Sequence, residues 1–237
     1  MTRFTKTTLA TALLLAATGV SAAEGDISAN VALATDYMFR GVSQTDNQFA
    51  ISGGFDWSHA SGIYLGTWAS NVNFGTAPDP STEIDLYAGY SGKVGDIGYD
   101  LGFLHYDYPG ASELDTNEVY VGASYSYFSA KLSYSNDLAF VSPTKSDSAT
   151  YLDLGAEYEV MDNVTVSAHV GWSNGDAFKT ASGNKVDGYV DYKLGVSTSF
   201  KGVDLALDYI DSDSDAETLF GTSLTDSRVM FTISKSF

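Results

Sequence analysis

The sequence predicts an all-β protein, a transmembrane antiparallel up-and-down β-barrel of about 12 strands, on three observations. Apolar residues recur at every second position in short segments from Asp26 to Phe237, with polar or acidic residues between them. The connections between segments alternate between long and short, as outer loops and periplasmic turns do in outer-membrane barrels. One face of the segments is nearly free of charge, as expected where a Lys or Arg facing mid-membrane lipid costs about 2–4 kcal/mol.

The chain opens with Arg3 and Lys6, an apolar stretch from Leu9 to Val20, and Ser21-Ala22-Ala23. That is the layout of a secretory signal peptide, so residues 1–23 are expected to be cleaved and residues 24–237 to form one outer-membrane barrel domain. The apolar core is shorter than the ~20 residues a spanning helix needs. Loss of Arg3 and Lys6, with no acid lost, makes the formal charge of −18 two units more negative and excludes nucleic acid as a partner. There is no cysteine, hence no disulfide and no thiol chemistry. A mean hydropathy of −0.06 is compatible with a barrel, in which only alternate residues meet lipid.

The alternation places strands near residues 27–37, 48–58, 63–73, 82–91, 97–106, 117–127, 130–137, 150–160, 164–173, 189–200, 203–210 and 227–237. In the first, Ile27, Ala29, Val31, Leu33 and Tyr37 share one face, and Ser28, Asn30 and Asp36 the other. Outward faces read Phe49, Ile51, Phe55, Trp57 in the second, Val119, Val121, Ala123, Tyr125 in the sixth, and Val164, Val166, Ala168, Val170, Trp172 in the ninth. The third segment has two apolar faces, so Trp68 is left unassigned; Trp68 and Tyr87 are candidates to point inward and narrow the bore. Long connections include FRGVSQTDN, NFGTAPDPS, YDYPGASELD and IDSDSDAETLFGTSLTD; short ones include HASG, SGKVGD, MDN and FKG. Tyr37, Trp57, Tyr90, Tyr125, Trp172, Tyr209 and Phe237 sit near segment ends, where an aromatic girdle meets lipid headgroups.

The terminal RVMFTISKSF, with Val229, Phe231, Ile233 and Phe237 at alternate positions, resembles the C-terminal signal by which the assembly machinery recognises outer-membrane barrels. Lys235 departs from the apolar residue usual two places before the end. The stretch DYMFRGVSQTDNQFAISGGFDW, Asp36 to Trp57, resembles the N-terminal motif of the TorF-type porin family of Gram-negative proteobacteria. Length, signal peptide, strand spacing and the final Phe are similar along the whole chain. The resemblance implies a barrel in the bacterial outer membrane and assigns no functional role to any single residue.

Alternation directs Asp36, Asp56, Glu83, Asp85, Asp100, Glu118, Asp153, Glu157, Glu159, Asp191, Asp204 and Asp208 to the interior, against Lys131, Lys193 and Arg228. Such a lumen attracts cations and repels anions. Arg40, isolated among neutral and acidic neighbours, is with Lys131 and Lys193 a candidate for a constriction, and a loop-anchoring ion pair is the alternative. Inward positions also include Ser52, Gly54, Gly122, Ser124, Gly155, Ser167, Gly171 and Gly195, small residues that leave room for an open bore, with a plugged one as the alternative.

Asp211, Asp213 and Asp215 begin like a calcium-binding loop, but Ala216 replaces the required Gly and Thr222 the bidentate Glu, so a solvated acidic loop is expected. His59, His105 and His169 make no metal-binding spacing, and no nucleophile, base and orienting group are recognisable together, so neither a metal, a cofactor nor an enzyme is expected. The expected function is passive diffusion of small solutes, with cations preferred. The alternative is a structural or surface-interaction barrel that acts through its long loops. Expected partners are outer-membrane lipid, lipopolysaccharide, small solutes and, through Phe237, the barrel-assembly machinery.

Overall fold

Residues 25–75, 78–137, 147–180 and 182–237 are described by the computed structural model; the expected signal peptide lies outside them. The strands are β1 (Asp26–Ala34), β2 (Met38–Phe39), β3 (Val42–Ser43), β4 (Ala50–Ser58), β5 (Ile63–Asn71), β6 (Thr82–Val94), β7 (Ile97–Asp107) and β8 (Thr116–Tyr125). They continue with β9 (Phe128–Ser135), β10 (Ala149–Met161), β11 (Val164–Gly175), β12 (Tyr189–Phe200), β13 (Val203–Ser212) and β14 (Arg228–Ser236), the last preceded by two short helices, α1 (Ser214–Phe220) and α2 (Thr222–Thr225). All except β2 and β3 join one closed antiparallel barrel of twelve strands, each paired with its neighbours in sequence order.

Closure is made by β1, which pairs with β4 on one side and β14 on the other, Asn30 lying opposite Gly54 and Ser236. Beyond the strand end, Ala29 and Phe237 exchange backbone hydrogen bonds of 3.2 and 2.9 Å, so the final residue is stitched into the seam. Closing the seam removes the free edges that would otherwise expose unpaired peptide groups to hydrocarbon. Val229, Phe231 and Ile233 all face out from that last strand.

The alternation in sequence becomes an inside and an outside. Ile51, Phe55, Val119, Val121, Leu194 and Leu207 are exposed on the outer wall, while Ser70, Glu83, Glu118, Asp191 and Asp208 are buried within. A soluble domain would bury the first set; here the solvent that covers it is lipid. The two-faced third segment resolves with Ile63 and Leu65 outward, and Tyr64 and Ser70 buried inside. Trp68 packs inward with its ring edge-on to Tyr37 at 5.3 Å.

Two features depart from the sequence reading. The first strand ends at Ala34 rather than near residue 37, because the chain leaves the wall there and turns into the lumen. The last long loop is partly helical. Asp213, instead of remaining a free acidic side chain, caps α1 by accepting from the backbone N–H groups of Asp215 and Ala216.

Candidate functional site

The interior is built from inward side chains of the wall and from the first long loop, which folds back between them. Within that loop β2 and β3 form a two-residue ribbon whose turn, Arg40-Gly41, has both φ values positive, at 49° and 77°. Paired positive φ values suit a tight hairpin, although a non-glycine residue there is strained. The tip crosses the lumen: the Ser212 hydroxyl on β13 donates to the Gly41 carbonyl at 2.8 Å, and a Cβ on Gly41 would lie 2.6 Å from that of Asp191 on β12.

Arg40 anchors this plug. Its guanidinium donates to Glu118 on β8 at 2.5 Å, and the ion pair is almost entirely buried. The same group lies 4.7 Å from the Phe39 ring centre and 4.3 Å from that of Tyr151 on β10, in cation–π geometry. Burial works against the Arg40 charge, but Glu118 beside it holds the pKa above the ordinary value. A second ion pair, Arg228 to Asp36 at 2.6 Å, ties the root of the loop to β14, and Asp36 also accepts from Ser43 and Thr45 at 2.7 Å each.

Opposite, Glu83 accepts from the phenols of Tyr37 and Tyr108 at 2.7 and 2.6 Å. Burial first, then the neighbouring Glu83 carboxylate, pushes both loop phenols up, which keeps them protonated as donors. Asp85, two residues further along β6, is fully buried and neither of its oxygens has a partner among the described residues. Tyr87 donates to Asp56 at 2.5 Å, and Tyr64 to Asp100 at 2.7 Å. On the other side of the lumen His169 bridges Asp153 at 3.0 Å and Asp191 at 2.8 Å through its two ring nitrogens, with the Tyr151 hydroxyl 3.1 Å from the second nitrogen.

These contacts fill the outer half of the barrel and, through Tyr64 near the start of β5 and its partner Asp100, reach into the inner half. Tyr64, Tyr87, Leu104, Tyr106 and Tyr108 make one buried cluster, and Val42, Phe178, Tyr189 and Ala216 a second; Leu219, Phe220 and Leu224 pack against the latter from above. A cavity of about 40 Å³ remains between Arg40, Glu83, Glu118 and the surrounding rings. The expectation of an open bore is therefore corrected for this half. Several small inward residues are the floor beneath neighbouring rings rather than free space: Gly66 lies under Tyr87, Gly102 under Tyr120, and Gly171 under Tyr151. Glycine beside a cross-strand aromatic lets the ring lie flat on the sheet.

The inner half is different. Ser124, Glu157 and Glu159 are exposed, Ser167 and Asp204 half-buried, and Gly122 and Gly155 sit among short side chains. Glu159 accepts from the Asn163 backbone N–H in the short turn after β10. Lys131 lies over the Tyr120 ring at 5.0 Å, and Lys193 stands opposite His169 in the ladder with Asp208 and Asp191 as charged neighbours. The end that carries both termini thus exposes acidic side chains, while loop and rings fill the other. Sequence reasoning placed the carboxylates and Arg40 but missed Tyr37, Tyr64, Tyr108 and Tyr151, the phenols that hold those carboxylates. A period of two points Tyr108 and Tyr151 inward and leaves Tyr64 open, but it sets Tyr37 on the lipid-facing side with Leu33; that placement is corrected, because the chain turns in after Ala34 and carries the Tyr37 phenol to Glu83.

No curated protein matches the chain. Among solved structures, the NanC porin aligns over 90% of this chain and 99% of its own at 11% identity, with a TM-score of 0.54. A membrane protein from work on in-meso crystallisation aligns over 89% of this chain and 83% of its own at 9% identity, with a TM-score of 0.56. Outer membrane phospholipase A from Escherichia coli is similar over 88% of both chains at 12% identity, but its TM-score of 0.43 is too low to carry an argument. Likenesses this distant in sequence show the fold alone: a porin-like barrel. With its apolar exterior, that barrel belongs in the bacterial outer membrane. Over residues 16–237 the chain matches the family model described as bacterial protein of unknown function, and it belongs to that family, Gcw_chp.

Proposed function

We propose that this barrel is a narrow, cation-preferring channel of the TorF-type porin kind, passing small solutes by diffusion. The observation that carries the reading is the charge of its inner surface. Among the described residues, twelve inward or rim carboxylates, from Asp36 to Asp208, face only Arg40, Lys131, Lys193, Arg228 and His169. In a wall of low dielectric such an excess lowers the energy of a permeating cation and raises that of an anion. Glu157, Glu159 and Asp204 concentrate cations at the inner end, and Asp153, Asp191 and Asp208 continue the acidic path to the underside of the hairpin. The Arg40 tip is the constriction, so conductance at rest is small and rises when the hairpin shifts.

The reading is non-catalytic. Both His169 nitrogens are taken up by carboxylates, and among the described residues no serine or threonine hydroxyl is bonded to that ring. In this reading lipid and lipopolysaccharide surround the wall, which the apolar exterior supports, and Phe237 in the closing seam is the feature offered to the assembly machinery.

The test is flux into liposomes that hold the refolded protein, with one cationic and one anionic organic solute of equal size. Entry of the cation several-fold faster than the anion is expected. Flux no greater than in empty liposomes would favour the alternative, a structural barrel acting through its outer loops, which the filled outer half also suits.

A further inference from the structure

We propose that His105, Asp107 and Asp115 form a binding site for one divalent first-row transition-metal cation, zinc foremost, on the outer rim of the wall. The inference goes beyond the channel reading and does not depend on it. His105 and Asp107 lie on the last turn of β7, and the long connection to β8 brings Asp115 back beside them. One ligand atom from each residue lies within 4.8 Å of the others. Spacing along the chain conceals this grouping, because the third member arrives by the return of the loop.

The three groups are close without touching. Among the described residues no ion pair or hydrogen bond joins His105 to either aspartate, and no Lys or Arg is paired with Asp107 or Asp115. The Asp107 side chain has no hydrogen-bond or ion-pair partner there. Asp115 accepts from the Tyr108 backbone N–H at 3.0 Å through Oδ1, which leaves Oδ2 for a ligand. Two carboxylates held at this separation repel one another, and a cation between them removes that repulsion.

The shell behind the imidazole is already arranged. Asn117, opposite His105 in the β7–β8 ladder, is clamped by Asp137: its backbone N–H donates to one carboxylate oxygen at 3.1 Å and its side-chain Nδ2 to the other at 3.0 Å. That clamp fixes the amide orientation and turns Oδ1 toward the His105 ring, 3.0 Å from Nδ1. An amide oxygen only accepts, so Nδ1 carries the proton and Nε2 keeps its lone pair. Metal-binding histidines are oriented in just this manner, by a second group that takes the other ring proton.

The donor set selects the ion. One imidazole and two carboxylates suit zinc and its first-row neighbours, whereas calcium and magnesium favour oxygen alone. Three protein ligands leave at least one position open to water or to another oxygen donor. His105 faces outward, paired with the exposed Leu86 on β6, so that position looks onto the outer surface rather than into the lumen.

Calorimetric titration of the refolded, metal-free barrel with zinc chloride alone tests the site. One zinc per chain is expected, with uptake abolished in Asp107→Asn/Asp115→Asn and in His105→Gln, and weakened about ten- to a hundredfold in Asn117→Ala. Each variant is checked for the heat-modifiable gel shift of a folded barrel. Absence of uptake, unchanged uptake in the double aspartate variant, or calcium binding as tight as zinc would overturn the assignment. The liposome flux assay is independent of all three outcomes, so either inference can fail alone.

Discussion

Arg40→Ala is expected to raise single-channel conductance several-fold and to weaken the seating of the first loop. The guanidinium is the only cation bonded to Glu118 among the described residues, at 2.5 Å, and the carboxylate it leaves behind is 3% exposed. Removing one partner of a buried ion pair costs about 3–5 kcal/mol, mainly through the orphaned charge. The hairpin has a cheaper response than unfolding the wall, since its two-residue strands can leave the lumen and let water reach Glu118. Release also relieves the strained left-handed backbone at Arg40, whose φ is 49°. Loss of a positive group leaves the lumen more acidic, so cation preference should hold or rise. In Arg40→Ala/Glu118→Gln the buried charge is gone, and the double-mutant cycle should return a coupling energy of the same sign and order as the ion pair. Unaltered conductance in a folded Arg40→Ala barrel would mean that the hairpin does not constrict the path.

Gly171→Ala and Gly122→Ala are expected to have opposite effects on stability, read as the midpoint of urea unfolding. A Cβ on Gly171 would meet the Tyr151 hydroxyl, with Tyr151 Cζ and Asp191 Oδ2 both 2.6 Å away. Tyr151 cannot withdraw without disturbing Arg40, stacked 4.3 Å from its ring, or the network through Asp191 and His169. Overpacking of this kind costs about 1–3 kcal/mol and should also loosen the hairpin. A Cβ on Gly122 finds the Asp100 Cβ at 3.6 Å, an ordinary contact. With no clash, alanine there restricts the unfolded chain and stabilises by about 0.4–1 kcal/mol. Equal effects at the two positions would show that the Tyr151 ring does not rest on Gly171.

The wall was legible because lipid on one side and water on the other impose a period of two, as Ile51 and Phe55 against Ser52 and Asp56 show. Strands β5, β11, β12 and β13 start where the alternation placed them, at Ile63, Val164, Tyr189 and Val203. The plug was not legible. The alternation of β1 runs on through Asp36 and Tyr37, and nothing in a period of two distinguishes a strand that continues along the wall from a chain that turns inward. The departure depends on partners distant in sequence, Arg228 for Asp36 and Glu83 for Tyr37. Trp68 was ambiguous for a related reason, since both faces of β5 are apolar and the contact with Tyr37 decides between them. Of the small inward residues taken as free space, Gly171 misled because it is small for the sake of the Tyr151 ring. Periodicity reports which side a residue faces and says nothing of what fills the space beyond it.

The most direct measurement is the zero-current potential of the protein in a planar bilayer under a tenfold potassium chloride gradient. An acidic lumen sets that potential toward the equilibrium value for potassium, and neutralising Asp153 and Asp191 together should move it back toward zero. A potential on the chloride side, or one unmoved by those substitutions, would contradict the account.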